Sequence, residues 1–312
     1  MPTFRKLFVA AGLTLGTASL TLVGPAASLA SPTSTASATP VAHVTGAVPD
    51  ANAPHAGDVA GVRHGSDVSI NNPTSVQAFK TLHDQMRGQS TDGVGPDTIH
   101  EYVGTSFDPS TVGSQATQSV SPKIEPANPG TTLYTPTMYP SGGSCIEIST
   151  AYFHDEQVVA AWDWCHAITF VAEKPIDKSF MKTYTKNKNY SVQILQTDKS
   201  SNTWTSYLYN YKTDKWEKFY SQSGTSQVGL GAGWDIYELY SELKGDGTSY
   251  ACDDLKNKRV EAQGIMVGVD GKLVPADPSN AGHDYDVPLS EFHCPSLSYQ
   301  MVHQYDHWKA KG

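Results

Sequence analysis

The chain has 312 residues, 38% of them hydrophobic and 17% charged, with 22 Lys and Arg against 31 Asp and Glu and a formal net charge of −9. That acidity argues against nucleic acid and anionic lipid surfaces as partners. Arg259 is the only arginine beyond Arg87, which weakens any arginine-based phosphate recognition.

The first 30 residues read as a signal peptide. Arg5 and Lys6 form a short positive region, Leu7 to Val23 is apolar or small, and Ser28-Leu29-Ala30 offers small residues at the cleavage positions. The apolar run is too short to span a bilayer, and no later stretch is longer, so export to an extracellular location with no membrane span is expected. Residues 31–72 are rich in Ala, Ser, Thr, Pro, Gly and Asp without an apolar period, which predicts a disordered or extended linker. In residues 73–132, Val76, Phe79, Leu82 and Met86 recur near helical spacing between Pro73 and Gly88 and predict one short helix. The Gly-, Ser-, Pro- and Thr-rich remainder of that segment, 89–132, reads as loop.

From Leu133 the character changes. Runs rich in Ile, Val, Tyr, Trp and Thr recur between turn residues at 145–153, 158–165, 190–197, 203–211, 216–221, 234–243, 260–269 and 297–303. Seven or eight such strands without intervening helices predict an all-β domain over 133–312, an antiparallel sandwich of jelly-roll or concanavalin-like type. The segment 177–185 is the one helix or turn insertion expected there. Cys145, Cys165, Cys252 and Cys294, an even count in an exported chain, point to two disulfides. No Cys-x-x-Cys spacing is present, and no cofactor or metal is expected.

The segment 144–165 allows a register argument. A hairpin turning about Asp155 sets Cys145 opposite Cys165, which suits a cross-strand disulfide, and Glu147 opposite Asp163. Ile146, Ile148, Trp162 and Trp164 then share the other, core-facing side. Like charges held directly opposite destabilise a sheet, so Glu147 and Asp163 are candidates for a shared proton and for acid–base chemistry. A third carboxylate, Glu238, alternates onto the face of Trp234, Ile236 and Tyr240, where it needs either a proton or a cationic partner. In 202–220, a turn at Thr213-Asp214 places Leu208 opposite Phe219 in the core. Tyr207, Tyr209 and Tyr211 fall on the opposite face, with Tyr220 across from Tyr207. Such a ladder, with Gln193, Asn210, Trp234 and Asp235 nearby, is a usable sugar platform. His283, His293, His303 and His307 cluster near the end; His303 and His307 have metal-like spacing for a helix, but no third ligand is fixed, and ordinary loop histidines are expected. Nucleophile-elbow, phosphate-loop and dinucleotide-binding motifs are absent.

Three stretches, CIEIS around Glu147, YSVQILQTDKSSNTWTSYLYN, and GWDIYELYS around Glu238, resemble secreted concanavalin-like sandwiches and, within them, neprosin-like proteins. The resemblance spans residues 133–309. It implies a glutamic peptidase in which Glu147 and Glu238 are the counterparts of the two catalytic glutamates. Many similar secreted sandwiches are carbohydrate-binding proteins without a catalytic pair. Two functions are therefore expected from the sequence. One is binding of a polysaccharide or glycan surface through Tyr207, Tyr209, Trp234 and Asp235. The other is hydrolysis of a glycosidic or peptide bond by a carboxylate pair drawn from Glu147, Asp163 and Glu238.

Overall fold

A computed structural model describes residues 48–68, 98–108, 112–284 and 288–312. The expected signal peptide and the expected helix after Pro73 lie outside the described residues. Two sheets stack face to face. The larger has ten strands. Its order is β1 (His55–Asp58), β12 (Lys215–Ser223), β11 (Thr203–Asn210), β10 (Asn189–Asp198), β4 (Gly113–Ser119), β14 (Arg259–Val269), β18 (His307–Lys311) and β17 (Ser298–His303). β15 (Lys272–Pro275) pairs with β14, and β9 (Thr185–Lys186) with β10. The smaller sheet has eight: β16 (Ala281–Asp284), β3 (Thr98–Phe107), β13 (Gly233–Glu242), β5 (Thr132–Tyr139), β6 (Ile146–Tyr152), β7 (Gln157–Asp163), β8 (Phe170–Pro175) and β2 (Arg63–His64). Among the described residues every pairing of these strands is antiparallel except β1 with β12. The expected antiparallel sandwich is thus the fold, with more strands than anticipated. Short helices form at Lys178–Thr183, within the expected insertion, and at Ala251–Leu255, which was not expected. Among the described residues no helix is long and apolar enough to cross a membrane.

Alternation along each strand decides what lies between the sheets. Ile146, Ile148, Val159, Tyr237 and Leu239 from the smaller sheet meet Val192, Ile194, Trp204, Leu208 and Trp308 from the larger in one buried cluster. The residues between them on the smaller sheet point to its other face. There Tyr134, Ala151, Val158, Ala160, Trp162 and Tyr240 build a second buried cluster. The core is partly polar. Asp235 points between the sheets, fully buried, and accepts hydrogen bonds from Gln118 Nε2 at 2.8 Å and Trp308 Nε1 at 2.9 Å.

Both expected disulfide cysteines of the first hairpin are joined, Cys145 to Cys165 with Cα atoms 5.0 Å apart, and Cys252 is joined to Cys294. The register differs from expectation by one residue. Phe153 N donates to Glu156 O, so the turn is two residues, His154 and Asp155, and pairs Ile146 with Asp163 and Glu147 with Trp162. The disulfide survives because β7 ends at Asp163, whose carboxylate accepts from the backbone N–H groups of Cys165, His166 and Ala167 and folds the chain back. Trp162 therefore shares the face of Glu147, and Asp163 does not.

Two segments expected to be irregular are ordered. Thr98–Phe107 and Gly113–Ser119, read as loop, are β3 and β4, each paired on both sides. Residues 48–68, read as linker, form a strap. Its β1 lies on the edge strand β12, and its β2 lies on the edge strand β8. Arg63 makes ion pairs with Glu156 and Glu173, and Val59 and Val68 are buried. Backbone pairing and ion pairs, rather than an apolar period, hold the strap.

Candidate active site

The face of the smaller sheet turned away from the sandwich core carries two glutamates. Glu147 stands on β6 and Glu238 on β13, with β5 between them. Both are largely buried, at 3% and 8% exposed. Three donors converge on Glu147. Thr137 Oγ1 of β5 donates to Oε1 at 2.6 Å, Trp234 Nε1 of β13 to Oε1 at 3.0 Å, and Trp164 Nε1 to Oε2 at 2.8 Å. Trp234 thus stretches across from the strand of Glu238, so the two carboxyl groups share one site. Strand spacing of about 4.8 Å leaves the backbones of β6 and β13 roughly 10 Å apart, a gap that two glutamate side chains narrow from both sides.

Burial raises the Glu147 carboxyl above its ordinary range, and the charge of Glu238 raises it further; the bonds from Thr137, Trp234 and Trp164 pull the other way without prevailing. Glu238 has a different shell. His100 Nε2 lies 2.6 Å from Glu238 Oε1, and the Tyr240 hydroxyl donates to the same oxygen at 2.9 Å. The His100 ring stacks on Tyr240 with centroids 4.1 Å apart and planes 6° from parallel. Burial, followed by the charge of Glu238, keeps the Tyr240 phenol protonated and able to donate. The ring nitrogen beside Glu238 is that of His100, and Arg259 pairs with Glu261. Gly104 permits this geometry. A Cβ there would sit 2.6 Å from Asp235 O and Ile236 Cα, pushing β3 and its His100 away from β13.

The remaining expected site residues scatter. Asp163 caps the turn after β7 and also accepts from Gln222, so it takes no part in the pair with Glu147. Tyr207 and Tyr209 lie on the outer face of the other sheet. A bulge after Ser206 sets Tyr207 opposite Lys218 and Tyr209 opposite Trp216, not Tyr207 opposite Tyr220. That face is covered by the strap: His55 packs edge-on against Tyr207 at 4.5 Å, Trp216 Nε1 donates to Asp50 O, and Tyr209 is only 8% exposed. Trp234 belongs to the Glu147 site and Asp235 to the inter-sheet core. These four residues therefore do not assemble into one sugar platform. His303 and His307 lie on paired strands rather than a helix, beside Asp306 and Glu261 respectively. Among the described residues no group of three or more His, Cys, Asp or Glu side chains could hold a metal ion.

His100 and Thr137 are not singled out by the sequence, and Tyr240 is placed there only as a neighbour on the face of Glu238. Tyr240 carried a signal, since it alternates with Glu238; His100 and Thr137 meet the glutamates only through long-range strand pairing.

The arrangement is that of a two-carboxylate site on one face of a β-sandwich. No protein-family profile and no curated protein matches the sequence. Among solved structures the chain is similar to scytalido-glutamic peptidase bound to a peptide-based transition-state analogue, at 13% identity over 69% of this chain and 98% of that one, with a TM-score of 0.37. A second structure of scytalido-glutamic peptidase, with a transition-state analogue inhibitor, aligns at 11% identity over 69% of this chain and 91% of that one, with a TM-score of 0.29. At such scores the likeness assigns no residue, and the roles of Glu147 and Glu238 rest on their own geometry.

Proposed function

We propose that the protein is an exported hydrolase of peptide bonds that works in acid, with Glu147 and Glu238 as its catalytic pair. The observation that carries this reading is the asymmetry of two buried carboxyl groups in one site. Glu147 is driven toward its protonated form by burial and by its neighbour's charge, whereas Glu238 sits against an imidazole and a phenol. A carboxyl held toward its protonated form beside a second one in a different shell can divide the roles of acid and base.

The chemistry follows from that division. Glu238, as carboxylate, takes a proton from a water as its oxygen bonds to the carbonyl carbon. Glu147 gives its proton to the carbonyl oxygen, so the tetrahedral intermediate is a neutral diol. Glu238 then passes its proton to the amide nitrogen as the C–N bond breaks, and Glu147 recovers a proton from a diol hydroxyl as the new carboxyl forms. One water is consumed, and both glutamates return to their starting states. The indoles of Trp164 and Trp234 hold the Glu147 carboxyl, and His100 with Tyr240 holds that of Glu238. A peptide is favoured over a glycan because the chain's own strap shows the face accepting extended polypeptide: Val68, extended at φ −69° and ψ 135°, is buried there.

The test is digestion of an unfolded protein substrate from pH 3 to pH 8 by the wild type and by Glu147→Gln and Glu238→Gln. Cleavage at acid pH that either substitution lowers at least about 10³-fold, with the double variant little worse than either single one, is expected for residues acting as a unit. Cleavage unaffected by both substitutions, or none at any pH, refutes the proposal.

A further inference from the structure

The second buried cluster is apolar, and Trp162 and Tyr134 bring it up to both catalytic carboxyls. Tyr134, Val158, Ala160, Trp162 and Phe170 of the sheet belong to it together with Val68 of the strap, 1% exposed. Trp162 is the cross-strand partner of Glu147, and its ring meets Phe170 edge-on at 5.1 Å. Tyr134 meets Tyr240, the donor to Glu238, edge-on at 6.5 Å. Trp162 and Tyr134 thus each lie one residue from a catalytic carboxyl.

What the cluster holds says what it accepts. Val68 follows β2, which borders β8 through only two residue pairs, Arg63 with Glu173 and His64 with Ala172. The occupant is therefore an aliphatic side chain on extended backbone, entering from the sheet edge. The cluster is apolar and aromatic, and Glu173, which stands opposite Ala160 at its border, is already paired with Arg63, so an acidic side chain placed there would meet a like charge in a buried site, at a cost of several kcal/mol. An apolar side chain of Val68's size or somewhat larger instead removes its own surface and the cluster's from water.

We propose that the pocket closed by Val68 is the substrate subsite beside the scissile bond, and that it selects a bulky apolar residue of the peptide. This rests on the hydrolase reading above and adds to it the class of substrate. It also makes Val68 a competitor of the substrate for one cavity.

The test uses the full-length chain and a degenerate peptide mixture, with cleavage positions read by mass spectrometry, followed by matched peptides carrying Leu, Gly or Asp at the selected position. The wild type is expected to favour Leu over Asp by at least about tenfold at one position next to the cut, since a few apolar contacts supply that much discrimination. Val68→Ser should raise kcat/KM for the Leu peptide through KM. Ala160→Leu, which fills the pocket from its floor, should lower the Leu-to-Gly ratio of kcat/KM by about tenfold; Ala160→Val is the milder substitute if the larger change unfolds the protein. Cleavage without an apolar preference, or with one that both Ala160 variants leave unchanged, overturns the subsite and spares the hydrolase. If neither the wild type nor Val68→Ser cleaves anything, the hydrolase reading fails, and titration of Val68→Ser by tryptophan fluorescence decides the subsite. Tighter binding of the Leu peptide than of the Asp peptide upholds it, and equal or absent binding overturns it.

Discussion

Asp235 should make the fold lose stability as pH rises toward neutrality. Burial between the sheets lifts its carboxyl from 3.8 to about 7, against the opposing bonds from Gln118 and Trp308. Below the unfolded value both states hold the proton, and the group contributes nothing to the pH dependence. Between 3.8 and about 7 the unfolded chain ionises while the folded one keeps its proton, so stability falls by about 1.4 kcal/mol per pH unit and levels off above that range. The full loss is roughly 4 kcal/mol, a large part of a typical domain's margin of about 5–15 kcal/mol. Urea unfolding of the wild type and Asp235→Asn at pH 4 and pH 8 measures it. The asparagine leaves one of the two donors facing its amide, so the variant should be about 1–3 kcal/mol weaker at pH 4. Its loss between the two pH values should nevertheless be smaller than the wild type's by about 3–4 kcal/mol. Glu147 contributes with the same sign, so Glu147→Gln in both backgrounds separates the two. Parallel pH dependence of wild type and Asp235→Asn would refute the argument.

Three further outcomes are expected. His100→Phe keeps a ring to stack on Tyr240 but removes the contact with Glu238; kcat should fall at least about tenfold, a fraction of the ~10²–10⁴ a positioned acid–base group contributes, and His100→Gln should recover part of it. Thr137→Val removes a donor to Glu147 worth about 1.5–3 kcal/mol to its ionised form. Glu147 should then hold its proton to higher pH, and the alkaline limb of the rate profile should move up by roughly one unit. Replacing Cys145 and Cys165 together by serine opens a link of sequence separation 20, with an expected loss of about 3 kcal/mol in chemical denaturation; because Trp164 adjoins that link, KM should rise in the same variant.

The sandwich was readable wherever apolar alternation survives, as in Ile146, Ile148, Tyr237 and Leu239. It was unreadable in β4, because the sequence GSQATQS is polar even though its first six residues are buried. Gln118 faces Asp235, while Gln115 and Gln193 bond to each other and to the strap. A hydrogen-bonded core leaves no hydrophobic period to detect. The Glu147–Asp163 pairing failed because a two-residue turn and a turn centred on Asp155 differ by one step, and one step exchanges faces. Composition could not decide between them, since either register leaves one face rich in aromatic residues. Glu238 and its aromatic face were legible from alternation alone. His100, 138 residues away in sequence, reaches Glu238 only through the pairing of β3 with β13, and no local pattern encodes that contact.

The strap also touches the fold where β-proteins are most vulnerable. Without residues 48–68, β12 and β8 would each present an unpaired row of backbone donors and acceptors. A chain trimmed at residue 68 would keep its glutamates yet expose two open borders, each a template for a foreign strand. Loss of so short a piece is thus expected to show first as self-association, growing with protein concentration.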